Sequence, residues 1–313
     1  MLPESPIEDT LSEEARPVFE RFNDLQKRGN VSESFLFFTD PHLLGAGDTF
    51  SQETKEHLLA SFSVAKELYD VLNLSFCICG GDWLNSGDPQ TQAEEKLLFA
   101  DKHMKSIFKR YYKMMGNHDT NYQGVVSVDN DKRGDLPRDF VDKQYFSETG
   151  SAYYSFEGAN FVFFILDSGL DWDKTIDDYR SEQLLWFAEQ IESCKSKHIV
   201  IGIHMFYDNT GITPMSEALL SICDAYNNKE KLSFFGSDYN YTNTEGKIQL
   251  ILSGHMHSDS VEYVGRFNLP VVRTHCFIQD ADGIFDICMF DFQEGLLHMV
   301  RIGQGIDRTI LLS

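Results

Sequence analysis

The sequence predicts an α/β protein. Short runs of apolar, β-prone residues recur along the chain, as is typical of buried strands. Several stretches between these runs carry apolar residues at helical spacing, which predicts amphipathic helices. A chain of 313 residues is long enough to bury a large core and is most simply one elaborated α/β domain.

Each element follows from one of these two patterns. Apolar residues at helical spacing predict helices over 8–28, 52–72, 89–108, 180–194 and 214–227. Pro17 would break or kink the first helix, whereas Pro89 suits a first turn. Apolar runs predict strands at 35–38, 76–79, 111–112, 199–201 and 248–252, and turn residues predict hairpins over 152–166 and 283–302. We expect residues 1–33 to be a helical leader and residues 34–313 to be one domain.

Composition limits the classes of function. The hydrophobic fraction of 42% and the 25 Phe residues indicate a packed globule. A formal net charge of −22 argues against general nucleic-acid binding, because that affinity comes mostly from Lys and Arg. It leaves room for a small phosphorylated substrate, since bound dications would make one cleft positive.

The sequence also indicates in which cellular compartment to expect the protein. No apolar run approaches the roughly 18 residues of a membrane span. Residues 1–10 are largely polar and acidic and do not resemble a secretory signal, so we expect a cytoplasmic protein. The six cysteines show no disulfide-framework spacing, which is typical of thiols in a reducing compartment.

Polar, metal-ligating side chains follow five of the predicted strands. Loops beyond the carboxyl ends of such strands are where α/β proteins bind ligands. Oxygen and imidazole ligands from five strand ends suit a pair of divalent metals, which predicts a metal-dependent hydrolase. No segment is decisive alone, and His204 by itself would be an ordinary core histidine. The five segments are Asp40-Pro41-His42, Gly81-Asp82, Gly116-Asn117-His118-Asp119, His204 and Gly254-His255-Met256-His257.

In this order, the five segments closely resemble the motifs of the calcineurin-like metallophosphoesterase superfamily, from about Phe35 to His257. The resemblance implies a four-layer αββα sandwich, in which two facing mixed β-sheets are flanked by helices. It also implies two divalent ions (Mn, Fe or Zn) at the strand ends. One ion would be held by Asp40, His42, Asp82 and His257, and the other by Asp82, Asn117, His204 and His255, with Asp82 bridging.

The resemblance further implies a mechanism. A metal-bridging hydroxide would attack a phosphomonoester or phosphodiester directly, with the two metals clamping the phosphoryl oxygens. His118 would be the general acid for the leaving-group oxygen. Asp119 would orient the His118 imidazole and raise its pKa. We expect no covalent phospho-enzyme, because no serine or cysteine lies activated beside these motifs.

The chain departs from the motifs of two subfamilies of this superfamily, which argues against membership in either. Purple acid phosphatases have a tyrosine three residues after the bridging aspartate, where this chain has Asn85. Ser/Thr phosphoprotein phosphatases have Asp-Arg-Gly where this chain has Asn85-Ser86-Gly87, and their third motif ends in Glu rather than Asp. The sequence therefore favours a generic phosphohydrolase, and neither the substrate nor the oligomeric state follows from it.

Two other classes remain as alternatives. The first is a non-catalytic scaffold of the same fold that binds protein partners, although such proteins tend to lose ligands or the general acid. The second is an unrelated two-metal peptidase or amidohydrolase, whose N-terminal His-x-His pair is absent here.

A polar stretch over 120–151 follows the His118 motif and has no sustained periodicity. Long irregular segments of this kind are often functional, so we expect it to cover the active site. Phosphate recognition favours arginine's planar fork, and an uninvolved surface loop is an equally open interpretation. The candidates for substrate contact are Asn121, Tyr122, Arg133 and Arg138.

Overall fold

A computed structural model describes residues 11–29, 31, 33–42, 56, 59–121, 136–168, 179–194, 198–277 and 283–313. The helices in this part of the chain are α1 (Ala15–Arg28), α2 (Ser63–Val71), α3 (Gln90–Ile107), α4 (Arg138–Phe140, continued by a π-helical turn over Val141–Tyr145), α5 (Tyr179–Ser193) and α6 (Pro214–Asn227). The strands are β1 (Glu33–Phe38), β2 (Cys77–Cys79), β3 (Tyr111–Lys113), β4 (Tyr154–Glu157), β5 (Val162–Leu166), β6 (His198–Ile203), β7 (Tyr207–Asp208), β8 (Gly211–Ile212), β9 (Lys231–Phe234), β10 (Ser237–Asn240), β11 (Lys247–Ser253), β12 (Ser260–Val264), β13 (Leu269–Arg273), β14 (Phe285–Asp291), β15 (Leu296–Ile302) and β16 (Arg308–Leu311).

Two six-stranded sheets form the centre of the molecule. Sheet 1 has the order β16-β15-β14-β1-β2-β3, and sheet 2 has the order β12-β13-β11-β6-β5-β4. Both are mixed. In sheet 1, β1, β2 and β3 run parallel and β14 to β16 are antiparallel, while in sheet 2 a parallel centre is flanked by antiparallel β4 and β12. The predicted pair of mixed sheets is confirmed.

The four layers follow from the alternation of side chains along each strand. On β5, Phe163 and Ile165 join the core between the sheets, where Phe163 meets Phe35 of sheet 1 edge-on at 5.7 Å. Val162, Phe164 and Leu166 point the other way, into a second core with α5 and α6. A parallel strand buried on both faces needs apolar residues at every position, which explains the continuous runs in the sequence.

Most predicted helices are present, but the first begins later than predicted, at Ala15. Pro17 does not kink α1, because it lies in the first turn, where its missing N–H would have had no helical partner. Within the helix predicted over 52–72, residues 56, 59 and 60 are helical, residues 61–62 form a turn, and α2 begins at Ser63. Residues 43–55, 57 and 58 lie outside the described residues. The hairpins β4–β5 and β14–β15 are confirmed.

The described part of the segment over 120–151 is more regular than expected, because residues 138–145 form helical turns. Residues 122–135 lie outside the described part. Among the helices described, none is both long enough and apolar enough to cross a membrane.

Candidate metal centre

The five sequence segments come together at the carboxyl ends of strands from both sheets. Each follows the carboxyl end of a strand that runs parallel to a neighbour: β1, β2 and β3 in sheet 1, and β6 and β11 in sheet 2. The structure thus brings together residues separated by more than 200 positions, as the contact between His42 and His257 shows.

Two groups of ligand-type side chains lie in this cleft. Asp40, His42 and His257 form the first, which we call group A. Asp82, His204 and His255 form the second, group B. Within each group the candidate ligand atoms lie within 4.8 Å of one another, so each group could hold a metal ion. The division between the groups is the one that the sequence resemblance implies.

Hydrogen bonds to backbone carbonyls orient two of the imidazole rings. Nδ1 of His204 lies 2.6 Å from the Gly80 carbonyl oxygen, and Nδ1 of His42 lies 3.0 Å from that of Leu84. A carbonyl only accepts, so Nδ1 carries a proton in both rings, and Nε2 is the nitrogen that faces the cleft. Such a carbonyl contact is the usual outer support of a metal-ligating histidine.

The Nε2 atoms of these rings and the carboxylate oxygens lie close together in the cleft. Nε2 of His204 lies 3.1 Å from Oδ2 of Asp82, and Nε2 of His42 lies 3.1 Å from Nε2 of His257. Nε2 of His257 is in turn 3.2 Å from Oδ1 of Asp40. A cluster of acceptors at such distances requires positive charge, which a proton or a metal ion can supply.

Three buried atoms at this point have no hydrogen-bond partner: Oδ2 of Asp82, Oδ1 of Asn117 and Nε2 of His204. The other oxygen of Asp82, Oδ1, accepts a hydrogen bond of 2.8 Å from the backbone N–H of His118. Oδ2 is therefore free of backbone donors, and it lies 3.1 Å from Nε2 of His204 in group B and 3.8 Å from Nε2 of His42 in group A. Buried acceptors are rarely left without a partner, so these three suit metal ligation.

The charges of the cleft shift its pKa values in opposite directions. Burial alone would lower the pKa of His204, but the negative charges of Asp82 and Asp40 raise it to about 10. Burial and the positive charge of His204 lower the pKa of His255 to about 4. Burial alone would raise the pKa of Asp82, yet His204 holds it well below its usual range. A proton on His204 thus supplies the positive charge that a bound cation would replace.

Backbone strain is concentrated at the same residues. Five of the seven predicted ligands have positive φ angles, in the region that non-glycine residues seldom adopt. Each such residue costs about 1–3 kcal/mol, and this strain is typical of functional sites. Gly116 lets the Asn117 loop approach, because a Cβ there would lie 2.1 Å from Oδ1 of Asp82. The strained residues are Asp40 (52°), His42 (43°), Asp82 (62°), His255 (69°) and His257 (49°).

His118 lies beside group A, with its ring centroid 5.0 Å from that of His42. Its Nδ1 lies 3.1 Å from the hydroxyl oxygen of Ser86, which also contacts the His118 carbonyl at 3.2 Å. With Nδ1 engaged, Nε2 remains as the other nitrogen that can exchange a proton. The sequence does not indicate this contact of Ser86, because 32 residues separate Ser86 from His118 and no local pattern connects them.

Asp119 does not orient the His118 ring, contrary to the expectation from the sequence. Its carboxylate is fully buried and accepts backbone N–H groups from Asp82 at 2.8 Å, Trp83 at 2.7 Å, Leu84 at 3.2 Å and Gly116 at 3.1 Å. Burial and the negative charge of Asp82 raise its pKa to about 7, against the effect of these donors. Asp119 thus joins the Asp82 loop to the Asn117 loop.

The structure describes two of the four candidates for substrate contact, Asn121 and Arg138. Asn121 is buried, and its amide accepts from the N–H of Asp88 at 3.0 Å and donates to the carbonyl of Asp88 at 2.7 Å. Arg138 is partly exposed and forms an ion pair with Asp142. Tyr122 and Arg133 lie outside the described residues.

The donor set fits divalent metals of intermediate hardness. Each group combines one carboxylate with two imidazoles. Asn117 adds a buried amide oxygen without a hydrogen-bond partner, and the N–H of the next residue, His118, donates to Asp82. Imidazole suits Zn and Fe, and carboxylate and carbonyl oxygens suit Mn, so ligand chemistry supports this class without selecting one member.

Metal binding should release about one proton per chain near neutral pH. His204, with a pKa of about 10, is protonated there and must lose that proton to ligate a metal. The apparent affinity should therefore rise with pH, because a falling proton concentration weakens the competition. Isothermal titration calorimetry in two buffers of different ionisation enthalpy measures this release. Metal binding with no proton release, and with no change in affinity as the pH rises, would contradict this account of His204.

The chain is an α/β sandwich with two groups of side chains that could hold metal ions. Comparison with family models shows the family to which it belongs. Residues 34–259 match the family model for calcineurin-like phosphoesterases. The chain belongs to the calcineurin-like phosphoesterase family. No curated protein sequence matches the chain significantly.

Solved structures share the fold at low sequence identity. A dimetal phosphatase from Danio rerio superposes with a TM-score of 0.60 and 13% identity, over 91% of this chain and 100% of that chain. A purple acid phosphatase from yellow lupin (Lupinus luteus) seeds superposes with a TM-score of 0.53 and 16% identity, over 89% of this chain and 53% of that chain. At such identities the likeness shows the fold alone.

Proposed function

We propose that this phosphoesterase-family chain is a metal-dependent phosphohydrolase that cleaves a phosphomonoester or a phosphodiester. The observation that carries the proposal is the free oxygen of Asp82, buried between the two groups of ligands. A buried carboxylate oxygen that has no backbone donor and faces imidazole nitrogens of both groups is the arrangement that a bridging ligand requires.

In this proposal two divalent ions (Mn, Fe or Zn) occupy the cleft. Group A would hold one ion, and group B with Asn117 would hold the other. Oδ2 of Asp82 would contact both, since Oδ1 is engaged by the His118 N–H. When bound, such a metal pair would supply a water activated for attack and would stabilise the charge on phosphoryl oxygens. Similarity in fold to the dimetal phosphatase from Danio rerio supports the proposal.

His118 would act as the general acid. Ser86 holds its Nδ1, so Nε2 would carry the proton that the leaving-group oxygen takes. The Ser86 hydroxyl can donate to the His118 carbonyl while accepting from Nδ1–H, which fixes the ring without an added charge. Asp119 would act only by joining the two loops that carry Asp82 and Asn117.

The substrate would be a small phosphate ester. A chain with a net charge of −22 repels a polyanion, whereas a small ester can enter a cleft that bound cations make positive. The alternative, a scaffold without activity, is disfavoured because all seven candidate ligands and His118 are present. A scaffold should keep its partner binding after its metals are removed.

The proposed activity should appear as hydrolysis of a nitrophenyl phosphate ester when manganese is added. A chelator should abolish it, and excess manganese should restore it, because the nucleophile depends on bound metal. A panel of phosphomonoesters and phosphodiesters, assayed with and without chelator, measures both the activity and the preferred ester class.

Two results would count against the proposal. One is hydrolysis that survives complete removal of metal. The other is a phosphorylated side chain trapped after rapid quenching, because the proposal predicts single in-line attack by water. The control for the first result is metal analysis of the chelated protein in the same buffer, so that residual activity is not due to residual metal.

A further inference from the structure

A buried cluster of charged side chains lies at one edge of sheet 1, outside the two ligand groups. Arg301 on β15 is only 2% exposed, and its Nε donates to Oδ1 of Asp286 on β14 at 2.9 Å. Arg308 on β16 donates to Oδ2 of the same aspartate at 2.7 Å. Buried charges are costly unless they are paired, and both arginines pair with Asp286.

The cluster reaches the loop that carries His255 and His257 through Asp259. Nη2 of Arg301 donates to Oδ1 of Asp259 at 2.6 Å, and Nη1 of Arg308 lies 3.4 Å from the same oxygen. The backbone N–H of His275 also donates to it, at 3.0 Å. Two arginines and two aspartates thus balance in charge, and one aspartate lies two residues beyond His257.

That loop needs an anchor at each end, because its backbone is strained at both histidines. At its start, the N–H of Gly254 donates to the carbonyl of His204 at 3.0 Å. The N–H of His255 donates to Oδ2 of Asp40 at 3.0 Å. Asp259 with Arg301 is the anchor at the other end, so the strained positions lie between two fixed points.

The same cluster supports the segment behind Asp40. The hydroxyl of Thr274 donates to Asp286 at 2.8 Å, and Arg308 donates to the carbonyl of Arg273 at 2.7 Å. Two residues further on, the thiol of Cys276 contacts the Asp40 carbonyl at 3.0 Å. Both connections lead to group A, since Asp40 and His257 are two of its three members.

We propose that Asp259 is a positioning residue, which with Arg301 holds His257 in place for the ion of group A. This inference rests on the proposed metal centre and adds a specific dependence: group A depends on the cluster more than group B. His255 of group B is also held by the bond of its N–H to Asp40, whereas His257 lies two residues from Asp259. Outer-shell partners of this kind change metal affinity by about 10- to 100-fold when they are removed.

Asp259→Ala is the sharpest test. The side chain of Asp259 is 28% exposed, and Arg301 keeps Asp286 and the Gln304 carbonyl as partners in its absence. The variant should therefore fold. Manganese titrated into the metal-free full chain, followed by calorimetry and elemental analysis, should show one site weakened by about 10- to 100-fold and the other weakened less. Asp259→Asn, which keeps one acceptor oxygen for Arg301, should restore part of this loss.

Asp224→Ala is a matched control. Asp224 also accepts a backbone N–H from a loop, that of Arg266 at 2.9 Å, and it pairs with the Arg266 guanidinium at 3.6 Å. Its side chain is 19% exposed, similar to Asp259, but it lies outside both ligand groups. A general effect of losing a loop anchor would appear in both variants, as a similar fall in melting temperature without loss of metal.

The outcomes separate this inference from the proposed function. Two sites of wild-type affinity in Asp259→Ala, or a loss no larger than in Asp224→Ala, would overturn the positioning role alone. A wild-type chain that binds no manganese would overturn the metal centre and this inference with it. A double variant with His257→Ala should be no weaker at group A than His257→Ala alone, because both changes act through one ligand. Additive losses would also contradict the inference.

Discussion

Replacing Asp82 with alanine should reduce hydrolysis to the background rate and release at least one metal ion per chain. The variant removes the only carboxylate of group B, whose free oxygen also faces His42 of group A. Steady-state assays with added manganese, combined with elemental analysis after gel filtration, measure both effects. Full activity with two bound ions would show that Asp82 is not a ligand.

Asp82→Asn should reduce hydrolysis and metal binding nearly as much, because of the hydrogen bond that the Asp82 carboxylate accepts. The N–H of His118 donates to Oδ1, so the amide oxygen of asparagine would take that place. The amide nitrogen, which has no free lone pair, would then stand where Oδ2 faces the two ligand groups. Asp238→Ala on the exposed β10 is a suitable control, because it removes an aspartate outside both groups.

His118→Ala should slow turnover by about 10²- to 10⁴-fold while both metal ions stay bound. The ring of His118 is not a member of either ligand group, and its Nδ1 is engaged by Ser86. The loss should be smaller for a nitrophenyl ester than for an alkyl ester, since a nitrophenolate leaves without first being protonated.

Measurement of bound metal separates the two roles of His118. Loss of metal in His118→Ala would mean that the residue is a ligand rather than an acid. His298→Ala is the matched control, because this histidine lies on β15 outside both groups and bonds only a threonine in the described contacts. Its rate and metal content should equal those of the wild type.

The strands and the strand-end positions could be predicted from the sequence because burial on both faces leaves a strong local signal. In β1 and β6, nearly every side chain is buried, so the apolar run marks the strand and its end marks the loop. Parallel strands bring such ends to one edge of a sheet, which is why an ordered set of polar residues indicated one site.

The direction of individual side chains could not be predicted in the same way. His118 and Asp119 are neighbours in a 3₁₀ turn, where successive side chains point about 120° apart. Asp119 therefore turns into the interior toward backbone amides, while His118 faces the cleft. Asn121 ends that turn with a left-handed φ of 59° and uses its amide to hold Asp88.

Contacts between distant residues leave no local pattern at all. Asp259 and Arg301 are 42 positions apart, and a lone Asp or Arg in a sequence is most often on the surface. They pair only because the fold places β15 next to the loop that follows β11. The same holds for Ser86, whose role depends on where its hydroxyl lies relative to His118.

Anomalous X-ray scattering from crystals of the manganese-loaded protein locates the proposed ions directly. We expect two manganese peaks in the cleft. One should lie among Asp40, His42 and His257, and the other among Asp82, His204 and His255, with Oδ2 of Asp82 within ligand distance of both. No peak in the cleft, or manganese bound only elsewhere on the protein, would contradict the proposed metal centre.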